Sequence, residues 1–559
     1  MNRKLSDLER ARLSYQPRVP SVLKNGIGSL VAEEGTPTEA VRDGSAIQKA
    51  FPDTYGKPIL KLSRGSDAGE RRPLAVGVLL SGGQAPGGHN VIAGLFDSLK
   101  AYHPESRLYG FLNGPAGIFT KRYEELTAES VEPFRNTGGF DLIGSGRDKI
   151  ETPGQFAASR AVCEELSLDG LVIIGGDDSN TNAAMLAEYF SANGSKTVVT
   201  GVPKTIDGDM KSDQIEISFG FDTATKLYSE LIGNLCRDTR SAKKYWHFIK
   251  LMGRVSSHVT LECALQTRAN MVLIGEEVEG LKMTLAQVVD QIATVILKRA
   301  EQGRHYGICL IPEGIIEFIP EMQILIAELN EILSRSAKYL ATIGRTSDTQ
   351  EFVNSKLSKD SSYVFSSLPL RIQHQLLLDR DSHGNVQVSR IDTEQLLLEQ
   401  VSERLAEWRA EGKFPGTFQY QHHFFGYEGR SLPPSNFDAN YTYSLGTVAA
   451  ALISLGRTGY ICSVQNLVAS PDDWQAVGVP LTSMMQTETR DGKAVPVIAK
   501  ALVKTDAEPF LTFAADRSAC EIEDAFLYPG PVQYFGPLEV SDRLTRTLML
   551  EHGLSDQDG

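Results

Sequence analysis

Cysteine is scarce in this 559-residue sequence: there are six, Cys163, Cys236, Cys263, Cys309, Cys462 and Cys520, with no CxxC and no paired spacing. That scatter excludes a disulfide framework and a cysteine-built zinc site. Several sit in apolar runs such as "YGICLI", so reduced core thiols in a cytoplasmic protein are expected. Long apolar runs are missing as well. No stretch approaches the ~20 residues of a membrane span, and the opening "MNRKLSDLERARLSYQP" lacks the apolar centre of a secretory signal. Positive charge is in deficit, with 56 Lys and Arg against 70 Asp and Glu and a formal net charge of −14. Nucleic acid and anionic membranes are therefore not expected partners, although local Lys and Arg can still hold phosphates. Absent too are GxGxxG and GxxxxGK[ST], so neither a dinucleotide fingerprint nor a P-loop is supported.

What is present is a strand–helix alternation, in a chain long enough for two or three domains. Residues 1–73 are polar with scattered prolines and read as an extension wrapping the outside. From Leu74 the rhythm changes. "AVGVLL" (75–80) is a buried strand, followed by "SGGQAPGGHN" and a helix with Val91, Ile92, Leu95, Phe96 and Leu99 on one stripe. "RLYGFL", "DGLVII" and "KTVVTGVP" repeat the strand signature, as expected of a mostly parallel sheet covered on both faces. After about residue 213 a second series begins: "YWHFIKLMG", "ANMVLIGEE" and "YGICLIPEG" as strands and 284–300 as a helix. Residues 321–415 then hold two long helices, marked by Leu325, Ile326, Leu329, Ile332, Leu333 and by Leu397, Leu398, Val401, Leu405, Trp408. Between them lies a charged stretch, 343–362, of weak periodicity. Strand-like segments return near 459–468 and 495–503.

Several loops at strand ends carry chemistry. In "SGGQAPGGHN" (81–90), Gly82 and Gly83 let backbone approach a ligand, and the following helix start favours an anion. It ends the first strand of an open sheet, at the edge where ligands dock. "LVIIGGDDSNTN" (171–182) ends a strand on two glycines and two adjacent acids, of which Asp177 suits Mg²⁺. "GVPKTIDGDM" (201–210) groups Lys204, Thr205, Asp207 and Asp209, a set suited to a general base beside a metal-bound phosphate. "LMGR" ends a strand at Arg254 and "IPEG" does so at Glu313, a pair suited to a polyhydroxy phosphate. "HHFFGYEGRSLPPSN" (422–436) adds Tyr427 and Arg430, while His422 and His423 lack zinc-ligand spacing. His247 and His305 read as packed or edge histidines. Each loop alone is compatible with a ligand-free turn, tip or ion pair; their combination is what carries weight.

Taken in order, "SGGQAPGGHN", "GGDDS", "PKTIDGD", "MGR", "PEG" and "YEGR" resemble the phosphofructokinase family, and within it the long, pyrophosphate-dependent branch. The likeness runs from about residue 74 to 320 and resumes from about 420 to 536, including "YPGPVQYFGP". The resemblance implies an α/β fold of two Rossmann-like three-layer domains with mostly parallel sheets, plus an N-terminal extension and an α-helical insertion. By it, 74–212 is a pyrophosphate/Mg²⁺ domain completed by C-terminal segments, and 213–320 a fructose 6-phosphate domain completed by about 420–480. Residues 321–415 are then the insertion, and 416–559 return to both domains. The implied reaction is a reversible, Mg²⁺-dependent phosphoryl transfer to the sugar's 1-hydroxyl, in glycolysis or gluconeogenesis.

Residue by residue, the resemblance implies that Gly82 contacts pyrophosphate and Asp177 serves Mg²⁺. Asp207 would be the base, with Thr205, Ile206 and Asp209 beside it. Met252, Gly253, Arg254, Glu313, Tyr427 and Arg430 would hold the sugar phosphate. Lys244 and Tyr245 match positions that reach into a partner's site, so a homodimer is implied, and Arg147 matches an arginine bridging donor and acceptor. "GGQAPGGHN" departs from the "GGDAPGMN" of typical ATP-using members. Those members also read "GGDGS" and "PGTIDND", with glycine where Asp178 and Lys204 stand here. An ATP α-phosphate near Asp178 would meet a like charge, costing up to ~4 kcal/mol at ~4 Å and an effective dielectric of ~20. Asp178 is thus expected to exclude nucleotide, and Lys204 to neutralise the transferred group. The alternatives are an ATP-dependent member and a non-catalytic regulatory subunit; the intact "TID", "GGDD", "MGR" and "PEG" motifs disfavour the latter.

Overall fold

The computed structural model describes residues 11–66, 71–340, 346–378, 386, 390–490, 493–532 and 544–554. Its strands, in chain order, begin with β1 (Leu30–Pro37), β2 (Pro58–Arg64), β3 (Ala75–Leu80), β4 (Arg107–Phe111) and β5 (Tyr123–Leu126). Next come β6 (Gly170–Gly175), β7 (Val198–Thr205), β8 (Phe219–Gly220), β9 (Trp246–Leu251), β10 (Met271–Val272) and β11 (Gly307–Pro312). The last are β12 (Tyr420–Phe425), β13 (Tyr460–Gln465), β14 (Gln475–Pro480), β15 (Met485–Arg490) and β16 (Lys493–Ile498). The chain packs as two compact α/β units, one from described residues of 1–224, 427–501 and 532–559, the other from 225–426 and 502–531.

The first unit is built on a ten-stranded sheet of order β1-β2-β14-β13-β7-β6-β3-β4-β5, with β8 against β7. Its centre, β13-β7-β6-β3-β4, is parallel, and antiparallel strands close both margins. Side chains alternate between two faces with the period of a strand. Leu79, Leu171 and Ile173 pack with Ala183, Leu186 and Phe190 of the Asp177–Ala192 helix in one core. On the other face the Gly88–Tyr102 and Asn436–Ser454 helices pack together and on the sheet. The chain leaves β3 toward β4 and returns on β3's other side as β6. That reversal opens a crevice at the carboxyl ends of β3 and β6, the place where doubly wound sheets bind ligands.

The N-terminal residues, expected only to wrap the outside, supply β1 and β2 to one margin of this sheet. They carry no apolar run because β1 buries only Leu30 among its eight residues.

The second unit holds a parallel four-stranded sheet, β10-β11-β9-β12. Its core joins Phe248, Cys309 and Ile311 of the sheet to Leu285, Val288 and Ile292 of the Leu285–Glu301 helix. The same core runs into the 321–415 segment through Leu325, Phe365, Ile372, Leu397 and Val401. The charged stretch there is helical at Thr346–Lys356 and Lys359–Ser367, while 343–345 lie outside the described residues. "ANMVLIGEE" is strand only at Met271–Val272 and turns into a Gly275–Gly280 helix. His247 is buried in β9 with Nδ1 2.9 Å from Nε2 of His423 in the edge strand β12, a packed imidazole pair. The six cysteines are all buried, with burial pushing their thiols up. Among the described residues no helix is long and apolar enough to cross a membrane.

Candidate active site

In the first unit the turn after β3 is pinned from both sides. The Ser81 N–H donates to Ile174 O at 2.8 Å, and the Gly82 N–H to Gly146 O at 2.8 Å. The Ser145 hydroxyl donates to Gly82 O at 2.5 Å. Gly82 has φ +84°, a left-handed conformation that glycine adopts without strain. A Cβ there would lie 3.2 Å from Lys204 Nζ, and one on Gly83 would lie 2.7 Å from Arg430 Nη1. Bare backbone therefore faces two cations, a surface suited to an anion. Arg430 Nε is buried and has no hydrogen-bond partner among the described residues. Arg430 comes from the short Tyr427–Ser431 helix, on which Tyr427 is 69% exposed. Arg147 is exposed on the loop that holds Gly82.

After β6, Gly176 caps the Asp177–Ala192 helix, placing Asp177 and Asp178 in its first turn, where negative charge meets the positive dipole end. The Asn180 side-chain amide braces this turn by donating to Gly175 O at 2.6 Å and Gly176 O at 3.0 Å. Asp178 pairs with Lys149 at 3.1 Å and Asp177 with Lys500 at 3.3 Å. Sequence reasoning singled out neither lysine. Lys149 stands two residues past Arg147 in "GSGRDK" and offered a local signal; Lys500 offered none.

Lys204 and Thr205 are the last residues of β7, and the Asp207 N–H donates to the Thr205 hydroxyl at 3.0 Å. Ile206 is buried, so its side chain packs into the core. Burial depresses the Lys204 ammonium to about 8, helped by the Arg430 charge and opposed by Asp207, Asp177 and Asp209. Asp209 is buried, and burial pushes its carboxyl up, followed by the charges of Asp207 and Asp177, with Lys500 easing the rise. Two carboxylates, Asp207 and Asp177, whose charges raise the cost of ionising a third, Asp209, make surroundings that suit a divalent cation. Mg²⁺ takes one or two carboxylates and completes its shell with phosphate oxygens and water, so Asp177 fits as its ligand. Among the described residues no three His, Cys, Asp or Glu side chains form a metal cage by themselves.

In the second unit the carboxyl ends of β9 and β11 lie side by side. The Met252 N–H donates to Phe425 O at 3.0 Å, and Glu313 N–H to Leu251 O at 3.0 Å. The Glu313 carboxylate, 4% exposed, accepts from the Gly253 N–H at 3.1 Å, tying "MGR" to "PEG". A Cβ on Gly314 would collide with the Arg254 carbonyl, so glycine is what lets the two loops touch. Arg254 itself is exposed. Lys244 and Tyr245 precede β9 and so lie at its amino end, a strand's length from Met252–Arg254. Tyr245 holds φ +63° and accepts from Gly307 N at 3.3 Å. Of "YPGPVQYFGP", residues 533–537 lie outside the described residues.

The family model for phosphofructokinase matches residues 75–453. The chain is 53% identical to pyrophosphate–fructose 6-phosphate 1-phosphotransferase of Porphyromonas gingivalis, over 98% of this chain and 99% of that protein. It is 51% identical to the protein of the same name from Treponema pallidum, over 98% and 97%. Among solved structures, the pyrophosphate-dependent phosphofructokinase of Nitrosospira multiformis shares the fold, with a TM-score of 0.53 at 14% identity, over 84% of this chain and 96% of that one.

Proposed function

The chain belongs to the phosphofructokinase family, and from that membership and the buried Lys204 beside the Gly82 turn we infer a pyrophosphate-dependent phosphotransferase. It moves a phosphoryl group from pyrophosphate to the 1-hydroxyl of fructose 6-phosphate, giving fructose 1,6-bisphosphate and phosphate. Pyrophosphate and the sugar bisphosphate differ little in phosphoryl energy, so the reaction runs both ways and serves glycolysis or gluconeogenesis. The Lys204 position is the observation that carries the reading. A lysine held nearly out of water against bare backbone makes a compact cationic seat for a small dianionic group.

In this reading Gly82 backbone and Lys204 hold the donor, and Arg147 bridges donor to acceptor. Asp177 would hold Mg²⁺, which when bound would neutralise charge on the donor. Asp207, oriented through its N–H on Thr205, takes the proton of the 1-hydroxyl as oxygen attacks phosphorus, and Asp209 shapes the field around it. Backbone at Ile206 lines the same turn. Met252, Gly253, Arg254, Glu313, Tyr427 and Arg430 bind fructose 6-phosphate, with Lys244 and Tyr245 serving the partner's site in a cytoplasmic homodimer. The expected domain division, 74–212 for donor and 213–320 for acceptor, belongs to the same proposal.

An ATP-dependent reaction is the second reading, and Asp178 with Lys204 disfavours it. The deciding assay measures fructose 1,6-bisphosphate formed from fructose 6-phosphate and Mg²⁺, with pyrophosphate or ATP in parallel. Turnover with pyrophosphate alone is expected. Turnover with ATP would overturn the donor assignment, and none with either donor would favour the regulatory-subunit alternative.

A further inference from the structure

The helical segment 321–415 reaches the second unit's sheet at one point with unusual chemistry. Lys250 of β9 and Glu394 of the Thr393–Ala410 helix form an ion pair at 2.9 Å with each side chain only 4% exposed. Lys250 Nζ also donates to Ile391 O at 3.2 Å and lies 4.6 Å from the Phe424 ring centroid. One residue away, the fully buried Thr393 hydroxyl is 3.4 Å from Glu313 O and 3.2 Å from Ile391 O. The first turn of this helix thus touches β9 two residues before Met252, and the backbone of Glu313 itself.

A buried ion pair is a weak source of stability, because an apolar pair of similar volume does as well or better. What it adds is direction: the ammonium and carboxylate fix the distance between strand and helix where apolar packing would tolerate sliding. We propose that Glu394, through Lys250, and Thr393, through the Glu313 carbonyl, are positioning residues that hold the Met252–Arg254 loop and Glu313 in the geometry that binds the sugar phosphate. The insertion then has a function, as a brace behind the acceptor site. The proposal rests on the reading of Met252–Arg254 and Glu313 as acceptor-binding residues.

The test uses the full-length double variant Lys250→Met/Glu394→Leu, which refills the space without leaving a lone buried charge. KM for fructose 6-phosphate is expected to rise about tenfold, as small misplacements of binding groups do. KM for pyrophosphate should stay within about twofold, and Tm close to wild type. In the ligand-free protein, hydrogen exchange should quicken at 252–254 and 313 but not across the rest of the unit. Unchanged KM and unchanged local exchange would overturn the proposal, and so would quickening spread over the whole unit. Should the double variant fail to fold, Thr393→Val, which loses only the hydroxyl, decides by the same two readouts. If the wild-type protein does not turn over fructose 6-phosphate, the reading of the activity falls, and the exchange pattern alone then decides whether the brace exists.

Discussion

At the scale of single residues, the proposed function has Asp178 and Lys204 divide the work of choosing a donor. Two like charges ~4 Å apart at an effective dielectric of ~20 repel by ~4 kcal/mol, roughly three decades of affinity. Lys149, 3.1 Å from the Asp178 carboxylate, offsets much of that field. Asp178→Gly should therefore raise kcat/KM for ATP by about ten- to a hundredfold, short of the three decades that the bare charge would give. A parallel measurement with pyrophosphate should show little change, and an unmoved ATP value would remove Asp178 as the excluder. Lys204 gives a pH signature. Its folded value lies below the ordinary lysine value, near 8, so the ammonium is present below that pH and lost above it. The pH profile of kcat/KM for pyrophosphate should fall on its alkaline side through about pH 8. In Lys204→Arg that fall should disappear, because guanidinium does not titrate in this range, even if the plateau is lower. Pyrophosphate's own ionisation is common to both enzymes and cancels in the comparison.

Among elements, the start of the Asn436–Ser454 helix stands out. The Asp438 carboxylate accepts from Gly220 N at 3.1 Å and Thr223 N at 3.0 Å, and from the Thr223 hydroxyl. Asp222, also fully buried, accepts from the Ser435 hydroxyl at 2.6 Å. Burial first, then the Asp222 charge, raises Asp438 to about 7 against those hydrogen bonds. The folded state therefore holds a proton that the unfolded chain has released, so stability should fall as pH rises from about 4 to about 7. Asp438→Asn should flatten that slope of Tm against pH, whatever it does to the level, since an amide does not titrate. A slope equal to wild type would mean the pair is not the source.

The elements that were legible in the sequence are those whose burial writes a pattern, such as β3, β6 and the Leu285–Glu301 helix. β1 and β2 were not, because marginal strands with one wet face carry few apolar residues. The Thr346–Lys356 helix was not, because Val353 is its one residue in the core. The site followed the same logic: glycines, acids and the TID triplet lie in continuous motifs, whereas Lys500 and Glu394 act through partners far along the chain.

For the whole molecule, the question is how many chains make a site. Met252–Arg254 and Lys244–Tyr245 occupy opposite ends of β9, some 20 Å apart for a six-residue strand, so Lys244 has no access to the loop at the other end of its own strand. The proposed two-fold dimer would resolve this, because each chain would then lend one end of β9 to its partner. The chain carries a net charge of −14, and the exposed Lys243–Lys244 pair offers a like-charged copy a complementary contact. Two inactive variants test the arrangement. On the proposed roles, Asp207→Asn would remove the base from its own site, and Lys244→Met would remove the cation from the partner's. In a mixed dimer one site suffers both losses and the other none. Random reassociation of equal amounts makes half the dimers mixed, so activity should recover to about a quarter of wild type. Recovery must appear only after the subunits have been dissociated and rejoined, as followed by mass. If mixed dimers form and stay inactive, Lys244 serves its own chain and the site is not shared.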